Sequence, residues 1–109
     1  MRAADVQLTR AFERGELPPG GFHHADHLRV AWVYLVESPT VDEAIARIEA
    51  TLVRFTAVVG KPEKYSRATT VFWMHQMAAA LAVLPNAECE ALFRAYPRLL
   101  DKDLIRAAS

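Results

Sequence analysis

The sequence predicts an all-α protein, a single compact bundle of about five helices. Three observations carry this. Apolar residues recur at threes and fours along most of the chain, Pro- or Gly-rich punctuation closes each run, and no alternating apolar–polar stretch of strand length occurs. No internal repeat is visible, and 109 residues suit one helical domain over positions 1–109.

The first helix, over residues 3–16, sets Ala4, Val6, Leu8, Ala11 and Phe12 at loose helical spacing. "GELPPGGF" ends it, because two prolines and three glycines do not continue a helix. The second runs from about His24 to Glu37 and stops at "ESPT". Thr40 then caps the third, with Glu43 three residues on in the arrangement of a capping box. This third helix is the most clearly amphipathic: Val41, Ala44, Ile45, Ile48, Leu52, Phe55 and Val59 share one side, Asp42, Glu43, Arg47, Glu49 and Arg54 lie outside, and Gly60 is a natural stop. After "KPEKYS" the fourth helix spans residues 66–84, Asn86 caps a fifth reaching about residue 96, and after Pro97 the segment "RLLDKDLIRAAS" adds a further turn.

Residues 68–87 carry no charge, which raises the question of a membrane span. Thr69, Thr70, His75 and Gln76 interrupt the run and Pro85 closes it, after about 17 residues, the short limit for crossing a bilayer. A helix apolar on most sides also suits the middle of a small bundle, so this segment is expected to be the buried central helix, and no membrane partner is expected.

Composition narrows the function classes. Thirteen basic and thirteen acidic residues cancel, so no basic field exists to hold a nucleic acid. Cys89 is the single cysteine, which excludes an internal disulfide and a cysteine-based zinc knuckle. The opening "MRAADVQLTRAFERGE" lacks the apolar core of a signal peptide, and a cytoplasmic setting is expected. A small chain with no net charge also gains stability by burying a face in a homodimer, although the sequence marks no interface.

The chemistry concentrates in "GFHHADHLRVAW", where three of the four histidines fall within five positions beside Asp26. On a helix His23 and His27 share a face at a spacing of four, as do His24 and His27 at three, and either pair can chelate an ion. A helix N-terminus disfavours the imidazolium, so these rings tend to the neutral form that ligates metal or acts as a base. Asp26 suits the same dipole and is placed to orient a ring. A metal site needs further ligands from elsewhere in the fold. The plainer alternative has one histidine packed, one capping and one solvated.

A second polar group stands on an apolar background: Tyr65, Thr69, Thr70, Trp73 and Gln76 on the fourth helix and just before it. Inward-facing hydroxyls and amides need partners, either a polar cavity or, for the threonines, the carbonyl of the preceding turn. His75 faces Val71, Ala68, Ala79 and Ala82, a small-residue stripe that favours a packed core or interface histidine. Cys89 lies between two glutamates, which raise a thiol pKa, and is not expected to be a nucleophile.

With these residues in view, "FHHADHLRVAWVYL" resembles the pattern Phe-x-His-x-Asp-His-Leu-Arg-Val-Ala-Trp-x-Tyr-Leu of a family of small uncharacterised bacterial proteins. The segment "GKPEKYSRATTVFW" is similar to that family's Gly-x-Pro-x-Lys-Tyr-His-Glu-Thr-x-Thr-x-x-Trp. The first motif matches at Phe22, His24, Asp26, His27, Leu28, Arg29 and Trp32, and His23 falls on a variable position, which favours His24 and His27 as the working pair. The second matches at Gly60, Pro62, Lys64, Tyr65, Thr70 and Trp73, but Ser66-Arg67 stands where the family pattern has His-Glu. The resemblance implies no particular activity, and the missing histidine removes one polar group from the expected site.

The expected site is a pocket between the start of the second helix and the fourth helix, a usual place for small-molecule sites in bundles. His24, His27 and Tyr65 are its expected catalytic residues: His27 as general base or acid, His24 as its partner oriented by Asp26, and Tyr65 as a hydrogen-bond donor to developing negative charge. Asp26, Thr69, Thr70 and Trp73 are the expected substrate-binding residues. Three functions stay open: an enzyme acting on a small organic molecule, a non-catalytic ligand-binding or assembly domain, and a metal-binding protein using the histidine pair. No cofactor is specified.

Overall fold

The computed structural model describes residues 3–17 and 20–108. Six α-helices occur among them: α1 (Ala3–Glu13), α2 (His24–Glu37), α3 (Val41–Val58), α4 (Arg67–Val83), α5 (Cys89–Ala95) and α6 (Leu104–Ala108). Two 3-10 turns, Pro62–Lys64 and Pro97–Leu100, precede α4 and α6. No strand forms among the described residues, so the fold is the expected all-α bundle.

α2 is the central helix. Leu28, Val30, Ala31, Trp32, Val33 and Tyr34 are each no more than 2% exposed, and α1, α3 and α4 all pack against them. Its start is fixed locally, since the Asp26 carboxylate accepts the His23 backbone N–H at 3.0 Å, close to the positive end of the helix dipole. α3 begins as its sequence predicts, with the Glu43 N–H donating to Thr40 Oγ1 at 3.1 Å. Beyond its C-cap, Gly60 takes a φ of 77°, a left-handed backbone that glycine adopts without strain.

α4 corrects the expectation of a buried central helix. Only Trp73, Met74, Met77 and Ala80 are buried, whereas Ala68, His75, Ala79 and Ala82 are exposed. His75 is therefore no core histidine within the chain. The lack of charge from residue 68 onward reflects a surface of small residues, which offer little apolar area to bury; the large β-branched and aromatic side chains of α2 offer more. No helix among the described residues is long and apolar enough to cross a membrane. Glu88, two residues after the expected Asn86, is the N-cap of α5.

Two polar clusters fasten α1 to the centre. Tyr34 Oη donates to Glu13 Oε2 at 2.6 Å and meets Thr51 Oγ1 at 3.1 Å. Arg10 bridges Glu13 and Glu37, Arg47 pairs with Glu37, and the Arg47 guanidinium lies 4.6 Å from the centre of the Tyr34 ring. Burial opposes ionisation of Glu13, but the Tyr34 hydrogen bond and Arg10 outweigh it and hold its carboxyl below the ordinary value. Nearer the N-terminus of α2, Arg29 pairs with the buried Asp5 and with Glu90, tying α1, α2 and α5 together. Cys89, free and buried beside this cluster, has its thiol pushed up to about 12 by burial and by Asp5, as expected for a structural cysteine.

Candidate functional site

α2, α3, α4 and the Pro62–Lys64 turn enclose a cavity of about 660 Å³. Its walls include Leu28 and Ala31 of α2, Leu52 and Phe55 of α3, and Met74 of α4, all spaced to face the bundle interior. His24, His27, Tyr65, Thr69, Thr70 and Trp73 line the same space, so two motifs nearly forty residues apart in sequence meet across one cavity. The volume falls in the range of small-molecule pockets, roughly 300–1,000 Å³.

His27 occupies the apolar side. Its ring meets Phe22 edge-on, with centroids 4.4 Å apart, and Phe12 at 6.5 Å. Burial, then the neighbouring His24, lowers its pKa to about 4, against a small opposing pull from Asp26. The ring is thus neutral at pH 7, with one N–H and one lone pair. Neither nitrogen has a hydrogen-bond partner among the described residues. A neutral imidazole of this kind donates one hydrogen bond and accepts another, but a pKa of about 4 makes it a weak base and leaves little imidazolium to give a proton at pH 7. The general-acid role expected for His27 lacks this support.

His24 is held from a distant part of the chain. Its Nε2 lies 2.9 Å from the Leu99 carbonyl oxygen and its ring packs edge-on against Trp73, centroids 4.4 Å apart. A carbonyl only accepts, so Nε2 carries the hydrogen, and in the neutral ring the lone pair falls on Nδ1. The expected orienting group, Asp26, is engaged elsewhere. It does not line the cavity, and its carboxylate caps α2 at the His23 N–H. A carboxylate at the third position of a helix finds an unsatisfied backbone N–H within one turn, and that local bond replaces the expected substrate contact.

Tyr65 lines the cavity with its ring, but its hydroxyl donates to Glu49 Oε1 at 3.0 Å, and Glu49 also pairs with Arg67 at 2.8 Å. A phenol has one hydrogen to give, so the donor role expected for Tyr65 is already filled by α3. Burial and the Glu49 hydrogen bond both raise its pKa. Thr70 likewise spends its hydrogen on the Ser66 carbonyl at 2.9 Å, the back-bond common for threonine in helices. Thr69 has no side-chain partner among the described residues, and Trp73 is 8% exposed as a wall. Gln76 lies outside this cavity, against a smaller hollow with Ala80, Tyr96 and Leu99.

The structure adds groups that the sequence did not single out. Lys61, Lys64 and Ser66 line the cavity; Ser66 Oγ also accepts the Thr69 N–H at 3.3 Å as the cap of α4. Lys64 stands in the second motif, which was its only signal. The Leu99 carbonyl had none, since any residue supplies one. His23 is exposed at the helix cap. No three His, Cys, Asp or Glu side chains converge as metal ligands among the described residues, so a metal held by His24 and His27 needs a further ligand from outside this set. In comparisons with protein families, curated proteins and solved structures, none matches this chain.

Proposed function

We propose that this chain binds one small organic molecule, mainly apolar, in the cavity between α2, α3 and α4. One observation carries the reading: an apolar-walled space of about 660 Å³ holds a neutral His27 whose ring nitrogens have no partner among the described residues. The imidazole opens onto the cavity with one donor and one acceptor uncommitted to the described residues, so both are free to bond to what enters it. The fixed His24 ring and the wall of Trp73 give that molecule a defined orientation. The balance of thirteen basic and thirteen acidic residues supplies no surface for a nucleic acid.

Saturable binding of the neutral apolar fluorophore N-phenyl-1-naphthylamine tests the reading. The expected result is one site per chain, with binding weakened in Ala31→Leu, which fills the cavity, and in Thr69→Trp, which narrows its mouth. Binding that is absent, or unchanged in both variants, removes the pocket.

The same lone pair on His27 supports a second reading, in which it takes a proton from the bound molecule. Turnover lost in His27→Gln, with binding retained, would distinguish this reading from simple binding.

A further inference from the structure

We infer that the occupant is an organic anion with an apolar body, such as a medium-chain or arylalkyl carboxylate, its carboxylate at the rim beside Lys61 and Lys64 and its hydrocarbon among Leu28, Leu52, Phe55 and Met74. This rests on the cavity being a binding site, as proposed above, and adds the class of its ligand.

The charge of the lining is one-sided. Lys61 and Lys64 are exposed at the rim, and no Asp or Glu appears among the described lining residues. Neither lysine forms an ion pair among the described residues, whereas the nearby Arg67 is engaged by Glu49. With His27 neutral, nothing in the lining offsets two positive charges. A ligand amine would meet like charge here and find no carboxylate.

The backbone adds to the same potential. α2 and α4 both begin at this cavity: His24 and His27 lie in and just beyond the first turn of α2, and Ser66, Thr69 and Thr70 belong to the cap and first turn of α4. The first turns of two helices, where the helix dipole is positive, therefore lie beside one space. Asp26 offsets part of this at α2, but it sits outside the lining with an oxygen engaged by the His23 N–H. Around the lysines are neutral donors. Ser66 Oγ accepts the Thr69 N–H and keeps its own hydrogen to give, and the Thr69 hydroxyl has no side-chain partner among the described residues. Each of these groups is a donor that a carboxylate can accept from.

The interior beyond is the reverse, with Leu28, Leu52, Phe55 and Met74 offering no polar side-chain atom other than a weakly accepting thioether. Positive rim and apolar depth together select a molecule with a charged end and a hydrocarbon end. An inorganic anion leaves the interior unfilled, and a neutral hydrocarbon leaves the lysines and hydroxyls unused.

Octanoate and its neutral counterpart octanamide, each titrated against bound N-phenyl-1-naphthylamine and directly by calorimetry, separate these terms. Octanoate is expected to bind more tightly than octanamide by roughly tenfold, and only octanoate is expected to weaken as salt is raised. The double variant K61Q/K64Q, at exposed positions that leave the core untouched, should reduce that preference by roughly fivefold, the scale of two exposed charge interactions, with octanamide unaffected. If the dye binds but octanamide equals octanoate, or the double variant leaves the preference intact, the anion inference fails and the pocket survives. If the dye shows no saturable binding, the pocket itself is overturned.

Discussion

The two ends of α2 handle buried polarity in opposite ways. At its C-terminal end, Tyr34 sits in a closed ring: Tyr34 to Glu13, Glu13 to Arg10, Arg10 to Glu37, Glu37 to Arg47, and Arg47 back over the Tyr34 face. Two arginines and two glutamates cancel, and each charged group has a partner in the ring. At its N-terminal end, His27 has aromatic neighbours and no hydrogen-bond partner among the described residues, and the lysines across the cavity have no counter-ion there. A closed network specifies how helices pack. Among the described residues the open groups are His27 and the lysines, since at the same end Arg29 is paired with Asp5 and Glu90 and His24 is bonded to the Leu99 carbonyl.

The largest expected effect is on acid stability, and it assigns a separate pH window to each end. His27 titrates near 6.5 in the unfolded chain and at about 4 when folded. Between those values the unfolded state binds more protons, so stability is complete above pH 6.5, falls as pH drops, and levels off below 4; the full loss is about 3 kcal/mol. Glu13 has the opposite chemistry. Its folded carboxyl lies below the ordinary 4.5, so the stability it adds is present above that value and is lost as pH falls through the folded pKa. Urea unfolding across pH 7 to 3 should show two components. His27→Phe should abolish only the upper one. Survival of the upper component in that variant, or loss of both, would show that the ends of α2 are not separable.

Tyr34→Phe comes next in size. It removes the donor to Glu13 and leaves a partly buried carboxylate with Arg10 alone among the described residues, while Thr51 keeps its bond to the Arg47 carbonyl, a loss of about 2 kcal/mol at pH 7. Dye binding at the other end of the helix should be unchanged. His27→Phe should do the converse at pH 7: a change within about 1 kcal/mol of the parent, in either direction, because no hydrogen bond within the described chain is lost, together with weaker binding of the dye, whose N–H is a donor that the His27 lone pair can accept. If Tyr34→Phe reduced binding as much as His27→Phe, the closed ring would be part of the site.

What was legible in the sequence divides on similar lines. α3 was readable to its N-cap, because Thr40 and Glu43 act within one turn of their own backbone, and α2 was readable in extent, although Asp26 makes its cap and not the expected ring contact. The set of residues around the cavity was also readable, since His24, His27, Tyr65, Thr69, Thr70 and Trp73 stand out as polar or bulky groups on apolar stretches. Their partners were not. The acceptor for His24 is a backbone carbonyl 75 residues away, and the acceptor for Tyr65 is one glutamate on another helix among thirteen acidic residues. Long-range pairing leaves no local pattern. The depth of α4 was misjudged for a related reason: absence of charge does not mean burial, since the exposed positions of α4 include Thr69 and His75 and three alanines too small to require cover.

The smallest effect tests whether Tyr65 belongs to the open end of the comparison or the closed one. Its hydroxyl donates to Glu49, which Arg67 also holds, a partner set of the same kind as the ring around Tyr34 but near the surface. Exposure weakens such bonds, so Tyr65→Phe should cost only about 0.5–1 kcal/mol in urea unfolding. The ring remains as a wall, and neither dye nor octanoate affinity should change. A loss of octanoate binding with unchanged stability would mean that the hydroxyl turns from Glu49 to the ligand, moving Tyr65 into the open set. An unchanged affinity makes its hydroxyl a tie between α3 and the turn before α4, a group that lines the cavity while its chemistry points away from it.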